Sequence, residues 1–200
     1  DLPDEHPFNR QVASSKGLLA DDQISAGSPL RELYDDPSFR DFVARVVGVD
    51  RVHPYADELS SVNVHFASAG RELGWHFDNS SFAVTMLVQA PEGGGVFEHV
   101  PAVRNAETGD PAYDRVEAVL DGHEPVETLS FDPGSLVLFR GRNALHRVTP
   151  VEGARTRMLV VFAFNDEPGV RLSDSALTTF YGRLSRTSTS SSTPRPPSGS

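Results

Sequence analysis

The hydrophobic period of the chain changes near residue 61, from a helical repeat to the alternation typical of strands. Before this point, Ser28-Pro29 and Asp36-Pro37 each combine an N-cap residue with a proline at the first helical position. The helical repeat that follows consists of Phe39, Phe42, Val43, Val46 and Val47. Gly48 then stands where a C-terminal cap belongs. We therefore predict that residues 1–60 form supporting helices on the outside of a sheet.

Short apolar runs separated by turn residues follow from residue 61. The segments expected to form strands span residues 61–67, 82–89, 96–100, 126–131, 135–139, 146–151 and 156–165. The segment 156–165 is apolar on both faces, which indicates that one face packs into the protein interior and the other packs against a layer of helices. Many short strands joined by turns predict a mainly β protein, and a double-sheet jelly roll with N-terminal helices is the simplest such fold.

Composition divides the chain into a core and a tail. A length of 200 residues favours one domain. Residues 61–184 are expected to form its β core. Residues 185–200 are rich in Ser, Thr, Pro and Gly. Such a segment buries too little apolar surface to offset its ordering entropy, so we predict a disordered tail.

Charge and cysteine content exclude several classes of protein. The formal net charge of −10 argues against binding to nucleic acid or to an anionic membrane, since both need a positive surface. The absence of cysteine excludes disulfides, thiolate nucleophiles and iron–sulfur clusters. No apolar run is long enough to span a bilayer and no secretory signal is visible. A cytoplasmic protein with a small-molecule substrate is expected, with its oligomeric state left open.

His76 and Asp78 lie two positions apart in a segment of extended character, so their side chains are expected on one strand face. His146 would complete three ligands on one face of an octahedron. That arrangement leaves the other positions open and is typical of non-heme Fe(II) sites. A His-x-Asp triplet also occurs by chance, and the alternatives are a half-buried strand histidine and an aspartate that caps a turn.

Two arginines, Arg155 and Arg157, follow the second histidine. A guanidinium can bind the far carboxylate of a 2-oxo acid cosubstrate through two hydrogen bonds. Arg157 lies within the last strand, where a buried arginine needs a partner. We therefore prefer Arg157, with Arg155 near the turn as the alternative. Asn63 interrupts an apolar strand and is a further candidate for binding the cosubstrate, or else an ordinary solvent-facing strand residue.

Five motifs together carry a family resemblance: Gly74-Trp75-His76-Phe77-Asp78-Asn79, Gly93-Gly94-Gly95-Val96-Phe97-Glu98, Asp132-Pro133-Gly134-Ser135-Leu136, His146-Arg147-Val148-Thr149-Pro150-Val151 and Phe180-Tyr181-Gly182-Arg183. The segment from residue 28 to residue 182 resembles the Fe(II)/2-oxoglutarate-dependent oxygenases. Within that superfamily it is similar to the prolyl-4-hydroxylase-like group, which includes radical halogenases and hydroxylases of free amino acids.

The resemblance implies a cupin-like double-stranded β-helix that uses Fe(II), 2-oxoglutarate and O2. It assigns the metal to His76, Asp78 and His146, 2-oxoglutarate to Arg157, and a substrate contact to Asn79. In the related halogenases a small residue replaces the acidic ligand and leaves a place for chloride. Because Asp78 fills that position here, hydroxylation is the expected outcome.

The substrate expected from the resemblance is a free amino acid or an amino-acid derivative, as in amino-acid metabolism or natural-product biosynthesis. The reaction would then be hydroxylation of an unactivated C–H bond. Three alternatives stay open. The same oxidative chemistry could end in desaturation or ring closure, or the substrate could be a peptide. The chain could also be a cupin-like metabolite-binding protein without redox chemistry.

Overall fold

A computed structural model describes residues 2–185, in which turns and caps divide the chain into four α-helices and eleven β-strands. The helices are α1 (Pro29–Asp35), α2 (Pro37–Val47), α3 (Tyr113–Leu120) and α4 (Asp174–Tyr181). The strands are β1 (Gly17–Leu19), β2 (Val62–Ala67), β3 (Leu73–His76), β4 (Phe82–Gln89), β5 (Gly93–Gly94), β6 (Phe97–Val100), β7 (Glu127–Leu129), β8 (Leu136–Phe139), β9 (Leu145–Val148), β10 (Val151–Glu152) and β11 (Arg157–Phe164).

The first two helices begin and end at the predicted capping residues. The Ser28 side chain accepts a hydrogen bond from the backbone N–H of Leu30 at the start of α1. Asp36 accepts from two backbone N–H groups at the start of α2. Gly48 ends α2 in the left-handed conformation with φ 79°, which costs a glycine little. Both predicted helices are therefore confirmed.

The strands form two main antiparallel sheets, and a cavity lies between them. One sheet has the order β1-β2-β11-β4-β8, and the other has the order β3-β9-β6-β7. β5 and β10 form a separate two-stranded pair. Side chains from both main sheets line the cavity. The predicted jelly roll, that is, a double-stranded β-helix, is confirmed.

β11 has two different apolar faces, as its sequence predicts. Val160, Phe162 and Phe164 are buried on one face, where they pack with residues of α1 and α2. Leu159 and Val161 lie on the other face and line the cavity between the sheets. Helices α1 and α2 thus cover the outer face of the sheet, while its inner face is free to form a site.

The elements that were not expected from the sequence include β1, α3 and α4. β1 has only three residues, so alternation could not identify it. α3 and α4 have eight residues each and carry short apolar repeats within polar segments. The signal for α4 was present, because Ser173 accepts a hydrogen bond from the N–H of Ala176 as an N-cap residue.

Of the predicted disordered tail, only Ser185 belongs to the described residues, and its side chain is buried. Residues 186–200 lie outside the described part of the chain. None of the helices formed by residues 2–185 has both the length and the apolar character that a bilayer crossing requires.

Candidate metal centre

His76 and His146 are cross-strand neighbours in the second sheet. β3 and β9 pair antiparallel with His76 opposite His146, so both side chains leave the same face. Their ring centroids lie 4.1 Å apart. Asp78 lies two residues after the end of β3, and its backbone N–H donates to the carbonyl of Gly141 at 3.0 Å. The fold thus brings together the three residues that the sequence singled out.

The three side chains point potential ligand atoms at one another. Asp78 Oδ1 lies 3.5 Å from His146 Nε2 and 3.9 Å from His76 Nε2. One ligand atom from each of the three residues lies within 4.8 Å of the other two. Two imidazoles and one carboxylate are the donor set of non-heme Fe(II) sites. We call these residues the metal triad.

Backbone carbonyls orient both imidazole rings. His76 Nδ1 lies 2.8 Å from the carbonyl oxygen of Gly74, and His146 Nδ1 lies 3.0 Å from that of Ala144. An Nδ1–H that donates to a carbonyl places the lone pair on Nε2, which is the arrangement that metal-bound histidines use. The residues present therefore fit a divalent metal at the Nε2 side.

Electrostatics keep His76 and Asp78 in the protonation states that a metal requires. Burial, together with the neighbouring His146, lowers the pKa of His76 to about 4. Burial alone would raise the pKa of Asp78, but the hydrogen bond with His146 and the nearby charges of His146, His76 and Lys16 together bring this pKa below its usual value. Near neutral pH His76 is thus neutral and Asp78 is ionised.

Gly141 approaches the triad so closely that a side chain has no space. A Cβ on this residue would overlap Asp78 Oδ2 and would lie 2.8 Å from His146 Cε1. Sequence reasoning did not identify Gly141. The available signal was the glycine in the turn just before the strand that carries His146.

One cavity joins the triad to Arg157. This first cavity has a volume of about 830 Å³ including its opening to solvent, and His76, Asp78, His146 and Arg157 all contribute to its wall. Arg157 is only 6% exposed. Burial lowers its pKa to about 10, so the guanidinium stays charged near neutral pH. Among residues 2–185 no ion pair or side-chain hydrogen bond of Arg157 is found, so a buried cation faces the cavity.

Arg155 lies elsewhere. Its side chain is exposed and donates to the carbonyl of Pro91 at 3.0 Å. Arg155 does not contribute to the wall of the first cavity. Arg155 lies before β11 begins, in the connection that follows β10, whereas Arg157 is the first residue of β11 and shares its strand face with Leu159 and Val161.

A second cavity, of about 650 Å³ including its opening, shares His76 and Asp78 with the first and contains Asn63 and Asn79 in its wall. Asn79 is exposed at this wall. The Asn63 amide donates to the carbonyl of Leu59 at 3.2 Å, and the hydroxyl of Tyr181 donates to Asn63 Oδ1 at 3.0 Å.

The sequence suggested that Asn63 contacts the cosubstrate. In the structure, however, Asn63 does not line the first cavity, which contains Arg157. The register explains the difference. Asn63 pairs with Val161, whereas Arg157 pairs with Ala67. Four residues along a strand correspond to about 13 Å.

Lys16 and His65 line both cavities and were not predicted to belong to the site. Lys16 Nζ lies 3.4 Å from His65 Nε2. Composition could have drawn attention to Lys16, because it is the only lysine among the 18 Lys and Arg residues of the chain.

Comparisons with known proteins agree with this architecture. The model of a family described as Halogenase D matches residues 14–178. An oxidoreductase of the 2OG-Fe(II) oxygenase family from Burkholderia pseudomallei is similar at 15% identity and a TM-score of 0.53, over 74% of this chain and 60% of that chain. AviO1 from Streptomyces viridochromogenes Tue57 is similar at 15% identity and a TM-score of 0.54, over 86% of this chain and 77% of that chain.

A third similar structure is SnoN, a non-heme alpha ketoglutarate dependent epimerase from nogalamycin biosynthesis. Its identity is 18% and its TM-score is 0.55, over 74% of this chain and 62% of that chain. The chain thus spans about 60% of the Burkholderia protein and of SnoN. A comparison with curated proteins finds no match. At these identities the three structures show the fold.

Proposed function

Because this chain belongs to the Halogenase D family and has the fold of 2OG-Fe(II) oxygenases, we propose that it is a non-heme Fe(II)/2-oxoglutarate-dependent oxygenase. The observation that carries this proposal is the convergence of His76, Asp78 and His146 within a cavity that also holds the buried Arg157, for which residues 2–185 provide no ion pair. When bound, Fe(II) with 2-oxoglutarate and O2 supplies the power to oxidise an unactivated C–H bond.

The chain itself binds and orients the reactants. The triad offers two imidazole nitrogens and one carboxylate oxygen to the metal, with both rings held by backbone carbonyls. Arg157 offers a charged fork to the far carboxylate of 2-oxoglutarate. The first cavity thereby suits the cosubstrate and the second suits the substrate. His76 and Asp78 belong to both walls, so the two ligands would meet at the metal.

Hydroxylation is the outcome that we propose, although the family is described as a halogenase family. Asp78 stands where the related halogenases have a small residue that leaves a place for chloride. A carboxylate in that position occupies a ligand site and repels a second anion. Its pKa is lowered, which keeps the negative charge in place near neutral pH.

The substrate that we propose is a small metabolite, either a free amino acid or an amino-acid derivative. The wall of the second cavity supports a small molecule, since it combines apolar side chains with a few polar groups, as small-molecule sites usually do. Desaturation or ring closure is the alternative within the same chemistry. A cupin-like binding protein without redox chemistry would need neither the acidic ligand nor the buried Arg157.

Succinate formation from 2-oxoglutarate tests the proposal. The protein is supplied with Fe(II), O2 and a panel of small metabolites, and the products are weighed by mass spectrometry. Gain of one oxygen, loss of two hydrogens and gain of chlorine distinguish hydroxylation, desaturation and halogenation. We expect turnover in the wild type and in His123→Ala, which changes an exposed histidine, and none in His76→Ala. Equal turnover in His76→Ala would refute the proposed activity.

A further inference from the structure

The segment 13–19 closes the gap between the two main sheets and holds Lys16 at their junction. On one side of Lys16, Ser14 forms an antiparallel bridge with Leu73 of β3. On the other side, β1 begins at Gly17 and pairs with β2 of the opposite sheet. Backbone pairing on both sides of Lys16 fixes the point at which its side chain enters the site.

The ammonium group of Lys16 has no acidic partner among residues 2–185. The contact found is with His65, at 3.4 Å between Nζ and Nε2. Burial lowers the pKa of Lys16 to about 8, with the charge of Asp78 acting in the opposite direction. Burial also lowers the pKa of His65, as does the charge of Lys16, so a neutral ring can accept one ammonium proton. An ammonium has three donors, so two remain for a ligand.

The second cavity contains one cation and one acid in its wall, Lys16 and Asp78. The rest of the wall consists of hydroxyl, amide, imidazole and apolar side chains. Asp78 is assigned to the metal. A substrate ammonium would therefore find no carboxylate free to pair with it in this wall, and an unpaired buried charge is costly.

Two other acids near the site do not change this charge distribution. Asp57 is buried, but its oxygens accept hydrogen bonds from the Leu59 N–H, the Ser60 hydroxyl and the Leu172 N–H. Glu72 lines the first cavity and does not contribute to the wall of the second.

We infer that Lys16 binds the carboxylate of the substrate, and that this substrate is a carboxylic acid whose amine is absent or acylated. Acylation removes the positive charge that the second cavity cannot pair, while the carboxylate supplies the partner that Lys16 lacks. The inference rests on the proposed function, because it assigns the second cavity to the substrate. It narrows the substrate class from amino acids and derivatives to acids without a free ammonium.

The only lysine of the chain provides a direct probe. Protein labelled with [ε-13C]lysine gives one lysine side-chain resonance. The sample is loaded with Zn(II) and N-oxalylglycine, which are diamagnetic and unreactive substitutes for Fe(II) and 2-oxoglutarate. Acetate is titrated first. A set of amino acids follows, each of them in its N-acetylated, free and amide form. We expect saturable shifts with acetate and with the N-acetyl acids, which should bind about tenfold tighter than the amides.

Variants separate a local contact from a general charge effect. By calorimetry, Lys16→Met should weaken binding of the N-acetyl acids by about tenfold to hundredfold. Lys16→Arg should retain most of the affinity. Arg45→Met removes an exposed cation from α2, on the outer layer, and should leave the affinity unchanged.

Three results would overturn the inference. The resonance is not shifted by any carboxylate, the amides or the free amino acids bind as tightly as the N-acetyl acids, or N-oxalylglycine alone produces the full shift. The last result would assign Lys16 to the cosubstrate. Zn(II) binding is measured on the same samples. Failure of the triad to bind Zn(II) would instead count against the proposed function, and the lysine titration would still report on carboxylate binding.

Discussion

Replacement of Gly141 by alanine tests whether the metal triad depends on a backbone approach that only glycine allows. The new Cβ would overlap Asp78 Oδ2 and lie 2.8 Å from His146 Cε1, whereas ordinary contacts begin at 3.4 Å. His146 would have to move by the difference, about 0.6 Å, and the carboxylate by more. The easiest relief is rotation of the Asp78 side chain, which removes its oxygen from the ligand set.

These displacements are large for a metal site. Functional constellations tolerate errors of about 0.5 Å, and loss of the groups that orient metal ligands usually weakens binding by about 10- to 100-fold. Because Gly141→Ala moves a ligand itself, we expect Fe(II) affinity to fall by about 100-fold or more. Overpacking should also destabilise the metal-free protein by about 1–3 kcal/mol.

Anaerobic Fe(II) calorimetry and chemical unfolding of the metal-free protein measure the two effects separately. Gly27→Ala is the matched control, since a Cβ there meets nothing within 4 Å, and it should change neither quantity. A folded Gly141→Ala protein with wild-type Fe(II) affinity would contradict the assignment of Asp78 as a ligand next to Gly141.

Three further predictions concern the triad and the cosubstrate. Arg157→Ala should raise the KM for 2-oxoglutarate by about 10- to 100-fold, because a buried charged pair is lost, while Arg155→Ala should change this KM little. A larger increase for Arg155→Ala than for Arg157→Ala in steady-state kinetics would move the assignment to Arg155. Asp78→Gly should strongly reduce hydroxylated product, and undiminished product by mass spectrometry would remove Asp78 from the ligand set. Since the folded pKa of His76 is about 4 and its ordinary value is 6.5, the unfolded chain takes up the proton first as pH falls. The metal-free protein should therefore lose stability between these two values, by up to about 3 kcal/mol from His76, and urea unfolding of His76→Gln should show a smaller loss than His123→Gln.

Local signals predicted the parts of the fold that depend on neighbours in sequence. The caps at Ser28 and Asp36 fix where α1 and α2 begin, because their side chains bind backbone groups two or three residues away. The strand expected at residues 82–89 is β4 with the same bounds. The jelly roll followed from such elements, because few folds accommodate many short antiparallel strands.

Contacts between distant segments were harder to predict. The triad could be anticipated because its residue types are chemically distinctive, but its approach to Gly141 depends on the packing of two turns. The contact between Lys16 and His65 spans 49 positions and depends on β1, which is too short to show a period. Asn63 lies on the expected strand, yet only the register of β2 against β11 shows which cavity it faces.

The pairing of His76 with His146 also couples metal binding to formation of the native sheet. The two residues lie 70 positions apart and on strands that are neighbours only in the assembled sheet. A partly folded chain in which β3 and β9 are not paired therefore offers the metal an incomplete set of ligands. Because the metal binds the complete set more tightly, it stabilises the native state. At a metal concentration 100 times the Kd, this stabilisation is worth about 2.7 kcal/mol. The iron concentration in the cell would then affect how long the protein survives proteolysis, as well as whether it is active.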